Sequence, residues 1–226
     1  LVVWSLFVVL DCGHMGCAHS KRSKHMTALP QLAIDTLRDP KGTAEQIMGW
    51  GLDRNTLYMA LFAVCAVNTL LATAPIVLSS GGMDEALRAA LPILALMESP
   101  LAFFAIVAGT LIVMIQGMFW AGRAMGGTGS LTNMMALIVW LQALRAVAQV
   151  VILFLGLAVP ALAGLVALGL QLVAFWLFLH FISAAMRFDS LLRAFGLLIA
   201  VATGLFLGMM LLLTLTGFSA GSFGSV

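Results

Sequence analysis

Five long apolar stretches hold a single charged side chain between them, that of Arg145. The stretches run Thr56 to Ser79, Leu101 to Ala121, Thr132 to Val159, Ala161 to Ala185 and Ala194 to Thr216. A hydrocarbon core roughly 30 Å thick is crossed by about 20 helical residues. Each stretch meets that length, and in hydrocarbon a helix satisfies its own backbone polar groups. The expected fold is therefore all-α: a polytopic integral membrane protein with five transmembrane helices in one bundle. With 62% hydrophobic and only 9% charged residues, a soluble domain is excluded, since soluble domains carry about 25% charge. A net charge of +2 gives no footprint for nucleic acid, and none is expected as a partner.

The basic residues report orientation instead. Lys21, Arg22, Lys24, Arg38, Lys41 and Arg54 precede the first span. Arg88 follows it, Arg123 lies after the second span, and Arg187 and Arg193 lie after the fourth. Threading five spans through this order puts nine basic residues on the side of the N-terminus and one on the other. Positively charged loops stay cytoplasmic, so the N-terminus is expected inside and the C-terminus outside.

Residues 1–25 are expected to be a non-native or disordered extension, with Met26 as a candidate start. Cys12, Cys17, His14, His19 and Asp11 offer metal-binding atoms, but their spacing is not a usual structural-zinc pattern, and neither a metal nor a cofactor is expected. Residues 26–55 read as a cytoplasmic amphipathic segment. A short helix spans Pro30 to Arg38, Asp39-Pro40 breaks it, and Thr43-Ala44-Glu45-Gln46 resembles a capping box opening a second helix through Trp50. Ile47, Met48 and Trp50 face either the headgroup region or the cytoplasmic loops. Asp53 or Asn55 is expected to cap the first span. Residues 56–217 form the transmembrane domain, and 218–226 a flexible tail. Asp84 to Met97 has a short helical pattern interrupted by Pro92, too short to span.

Between spans two and three, Gly126-Gly127-Thr128-Gly129-Ser130 permits a tight reversal, with Ser130 or Thr132 capping span three. With Arg123 nearby, the same turn is a candidate anion or lipid-headgroup site. No lysine follows, so it is not a nucleotide-binding P-loop. Spans three and four meet at Val159-Pro160 with no polar loop and should form a tight hairpin. Gly204 and Gly208 in span five allow close helix approach, and with it a homo-oligomer.

Gln142, Arg145 and Gln149 follow i, i+3, i+7 spacing and share about 60° of one helix face. A central arginine costs about 2.5 to 3.5 kcal/mol on the insertion scale. No Asp or Glu lies in any span, so the offset must come from elsewhere. Gln171, His180, Asn68, Gln116, backbone carbonyls, water and a lipid phosphate are the candidates. The stripe reads either as a polar cleft for an anionic headgroup or solute, or as amide glue around a snorkelling arginine. Gln142, Arg145, Gln149 and Arg123 are thus the candidate ligand or lipid residues. Ser130 and His180 raise an intramembrane hydrolase as a distant third reading, without a carboxylate pair or metal spacing to support it.

Several local runs resemble a known family. Asp35-Thr36-Leu37-Arg38-Asp39-Pro40, Gly49-Trp50-Gly51-Leu52, the glycine turn with Trp140-Leu141-Gln142 beyond it, and Phe188-Asp189-Ser190-Leu191 are similar to the Yip family of Ypt/Rab-interacting membrane proteins, in its bacterial branch. The resemblance covers Met26 to about Gly217. It implies an all-helical membrane domain without enzymatic activity, resident in a bacterial inner membrane and acting through lipids or a membrane-protein partner. In eukaryotes such proteins serve vesicle traffic through small GTPases, a role that a bacterium has no machinery to use. The alternative is a small transporter or lipid carrier built on the span-three stripe.

Overall fold

The structure, a computed structural model, describes residues 28–78 and 99–215. Two short helices, α1 (Ala28–Arg38) and α2 (Pro40–Met48), precede five long ones: α3 (Arg54–Leu78), α4 (Pro100–Ala124), α5 (Leu131–Ala158), α6 (Pro160–Met186) and α7 (Leu191–Leu215). All five long helices are apolar enough to cross a bilayer, and the described residues contain no strand. Each expected span is present, its ends moved by a few residues. The expected features at 1–25, 84–97 and 218–226 lie outside the described residues.

Proline opens three helices. Pro40, Pro100 and Pro160 stand at the first turns of α2, α4 and α6, where the missing N–H would have had no helical partner. This corrects the expected start of α2. Asp39-Pro40 does not separate the second helix from its origin at Thr43 but starts it. The Asp39 carboxylate accepts from the Gly42 amide at 3.0 Å, so Asp39 is the N-cap and Pro40 the pre-set first residue. Asp53 caps α3 by accepting from the Asn55 amide at 3.2 Å. Ser130 caps α5 by accepting from the Asn133 amide at 3.2 Å.

Burial is concentrated at one end of the bundle. Leu57, Leu61 and Val64 early in α3, Met118 late in α4, Met134, Met135 and Leu137 early in α5, Phe181, Ile182 and Met186 late in α6, and Leu197 early in α7 are all fully enclosed. These segments share one end because consecutive spans alternate direction. At the opposite end, Leu157, Leu165, Leu168, Leu172, Phe206 and Leu211 stand on the outer surface, as suits contact with lipid. The first span is the most buried, with 44% of its window enclosed against 22% or less for the others. It is the central strut, packed on α4 and α5.

The amphipathic segment closes the well-packed end. Pro40, Thr43, Ala44 and Ile47 of α2 are buried against α5 and α6. Ile47 therefore faces protein, while Met48 is half-buried and Trp50 exposed, so the three residues do not share one surrounding. Trp50 meets the Trp140 ring edge-on, with centroids 6.2 Å apart, a favoured aromatic arrangement.

Candidate functional site

The glycine turn is shaped by what lies against it. Gly126 has a φ of 87°, a left-handed conformation that favours glycine. A Cβ on Gly129 would collide with the Ala185 carbonyl oxygen, and one on Gly127 would lie 2.8 Å from the Gly122 carbonyl oxygen. The turn thus seats its backbone directly on the end of α6. The Thr128 amide donates to the Met186 carbonyl at 3.1 Å, the Gly127 amide to Gly122 at 2.8 Å and the Gly126 amide to Arg123 at 3.1 Å. Those three amides are engaged by carbonyls. Arg123 is exposed, with its guanidinium 5.9 Å from the Phe119 ring centroid.

The span-three stripe divides between inside and outside. Arg145 is exposed on the bundle surface, while Gln142 and Gln149 are half-buried and Ala146 is buried. The side chain of Asn68 in α3 donates to the Val64 carbonyl at 3.0 Å and across to the Gln142 carbonyl at 3.1 Å. Asn68 thereby ties span one to span three rather than neutralising Arg145. The enclosed Gln149 Oε1, Asn68 Oδ1 and Thr69 Oγ1 find no partner among the described residues. Of the other expected neighbours of Arg145, Gln171 is exposed. His180 lies half-buried against Trp176, with ring centroids 4.5 Å apart, and its Nδ1 sits 2.9 Å from the Trp176 carbonyl. Among the described residues Arg145 forms no ion pair. Its position is central: α5 extends about 21 Å before it and about 20 Å beyond it at 1.5 Å per residue.

A second site was not anticipated from the sequence. A cleft of about 580 Å³ lies where α2 crosses the start of α5 and the end of α6. Lys41 and Glu45 of α2, Asn133 of α5, Ser183 of α6 and Arg187 line it beside Met48 and Phe188. Arg187 ends α6 in a left-handed conformation, φ 56°. That reversal lets the Ser183 hydroxyl donate to the Phe188 carbonyl at 3.1 Å. Lys41 and Glu45 are one helical turn apart, a visible sign of a shared face. Nothing in the sequence places Arg187 opposite them. Among the described residues the only ion pair is Arg193 with Asp189, at 3.3 Å, so the charges of the cleft do not neutralise one another. Ser130 and His180 of the hydrolase reading have separate local partners, the Asn133 amide and Trp176. The described residues hold no cluster of three or more metal-ligating side chains.

Five apolar helices, capped at one end by a packed amphipathic pair, define a multi-pass helical membrane protein. The family model described as Yip1 domain matches residues 34–213, and the chain belongs to that family. The match begins inside α1 and ends inside α7, so it takes in the amphipathic segment as well as the spans. No curated protein and no solved structure matches the chain significantly.

Proposed function

We propose that the protein is a non-enzymatic binding platform of the membrane, working through a membrane-protein partner and surrounding lipid. One observation carries this reading: Arg145 stands on the outer surface of the bundle, mid-span. An arginine there costs about 2.5 to 3.5 kcal/mol unless it is compensated. From mid-span the edge of the hydrocarbon core is about 15 Å away, more than one side chain spans by snorkelling. A carboxylate within a transmembrane segment of another protein would compensate it by charge-assisted hydrogen bonds. A second copy of the chain offers no such carboxylate, because no span contains Asp or Glu.

The carrier reading predicts a water- or headgroup-accessible cleft at Arg145; the lack of any Asp or Glu in the spans to compensate the charge favours a partner that supplies one. The charge distribution supports a cytoplasmic N-terminus, which puts the packed end of the bundle, α1 and α2 on the cytoplasmic side. On this reading residues 26–55 are the cytoplasmic segment, 56–217 the membrane domain and 218–226 an external tail, in a bacterial inner membrane.

The test is purification from native membranes of the wild type and Arg145→Gln in parallel. The platform reading expects a protein with an Asp or Glu inside a transmembrane segment to co-purify with the wild type. Its yield should fall about tenfold with Arg145→Gln, the equivalent of losing about 1.4 kcal/mol, while the melting temperature stays within a few degrees. Identical partners and yields for both proteins would overturn it.

A further inference from the structure

The cleft beside α2 has a charge pattern and a depth that together define a ligand. Two cations, Lys41 and Arg187, and one carboxylate, Glu45, line the same space. All three residues are exposed, and none is ion-paired among the described residues. Glu45 and Lys41 lie at i and i+4 in the reversed order, Lys before Glu, which is the weaker arrangement for pairing along a helix. A ligand that satisfies the whole set must carry an anionic group and a hydrogen-bonding cation a few ångströms away.

The level of the cleft narrows the choice. Asn133 is in the first turn of α5, and Ser183 and Ala184 are in the last turn of α6. The floor of the cleft therefore lies at the ends of two spans, the depth occupied by polar headgroups rather than by acyl chains or bulk water. Met48 and Phe188 add an apolar margin, which suits the glycerol and first methylenes below a headgroup. A volume of about 580 Å³ accommodates a headgroup with its glycerol.

We propose that this cleft binds the headgroup of a primary-amine phospholipid, of the phosphatidylethanolamine type. The phosphate sits between Lys41 and Arg187, where charge-assisted hydrogen bonds form. The ammonium donates to Glu45. The site is separate from Arg145, and its failure would leave the partner reading untouched.

The experiment is native mass spectrometry of the full chain, exchanged into mixed micelles containing equal amounts of phosphatidylethanolamine, phosphatidylcholine and phosphatidylglycerol. The wild type should retain the ethanolamine lipid about fivefold over either of the others. Lys41→Gln with Arg187→Asn should reduce that retention about tenfold. Asparagine tolerates the left-handed backbone at 187, so the turn is kept. Glu45→Gln should abolish the preference for ethanolamine over glycerol while leaving total lipid retention near the wild-type level. Circular dichroism melting of each variant separates loss of the site from loss of the fold. Equal retention of the three lipids by the wild type overturns the proposal. Inorganic phosphate displacing the ethanolamine lipid, with binding strengthened by Glu45→Gln, overturns it in favour of a free-phosphate site.

Discussion

The indole N–H of Trp140 donates to the hydroxyl of Thr36 at 3.1 Å, joining the amphipathic segment to the third span. Thr36 is fully buried, and its hydroxyl in turn donates to the Leu32 carbonyl at 2.7 Å. One oxygen therefore accepts from a span and donates within α1. Thr36→Val keeps the shape and leaves the indole without its partner. Loss of such a bond costs about 1 kcal/mol, and more where the orphaned group is shut from water. Hydrogen exchange should speed up in α1 and α2 several-fold, with the protection of α3 and α5 unchanged. Trp140→Phe should reproduce the effect, and the two substitutions should not add.

Asn68 bridges two helices through its side-chain amide. Interhelical hydrogen bonds in membranes average about 0.6 kcal/mol. Asn68→Leu should therefore lower the thermal midpoint in detergent only slightly. It also removes an enclosed acceptor, Oδ1, that has no partner among the described residues, which offsets part of the loss. A collapse in stability on this substitution would mean that the bridge is worth far more than its geometry suggests.

Glycine should matter by position and not by number. Gly129→Ala drives a methyl group into the Ala185 backbone and should abolish the recovery of monodisperse protein. Gly126→Ala meets open space but keeps a φ of 87°, so it should cost on the order of 1 kcal/mol. Gly204→Ala and Gly208→Ala also meet open space at exposed positions and should leave the melting temperature of the isolated protein unchanged. Size-exclusion profiles and melting curves of the four variants check this ordering.

Arg145→Leu exchanges an unfavourable residue at the centre of a span for a favourable one. The insertion scale gives a gain of about 3 kcal/mol. A glycosylation-mapping assay of span three in isolation should show a higher inserted fraction for the leucine variant. An unchanged fraction would mean that the flanking sequence already carries the segment across.

The spans were legible because length and hydropathy alone specify a membrane helix, whatever it packs against. The glycine turn was legible for a related reason: a reversal between two such helices needs residues that tolerate close approach. The facing of Arg145 was not legible. A helix that is apolar all round gives little periodic signal for which side meets its neighbours, so the sequence left both a polar cleft and a snorkelling arginine open, while the structure sets Arg145 exposed between half-buried Gln142 and Gln149. The origin of α2 was misread because Asp-Pro signals both a break and a start, and only the Asp39 to Gly42 contact decides between them. The cleft escaped because tertiary packing brings Arg187 to line the same cleft as Lys41 and Glu45, with no local pattern to announce it.

The junction of α5 and α6 leaves Val159 alone between two helices, its amide bonded to Leu155 at 2.8 Å and its carbonyl accepting from Ala163 at 3.1 Å. So short a joint gives neither helix an independent life. The third span cannot settle in the bilayer and wait for the fourth, because its far end is already the start of the return. The pair should enter the membrane as one hairpin, with the strongly apolar α6 drawing the arginine-bearing α5 in beside it. The one span with a central charge is thereby joined, without a loop, to one that carries none.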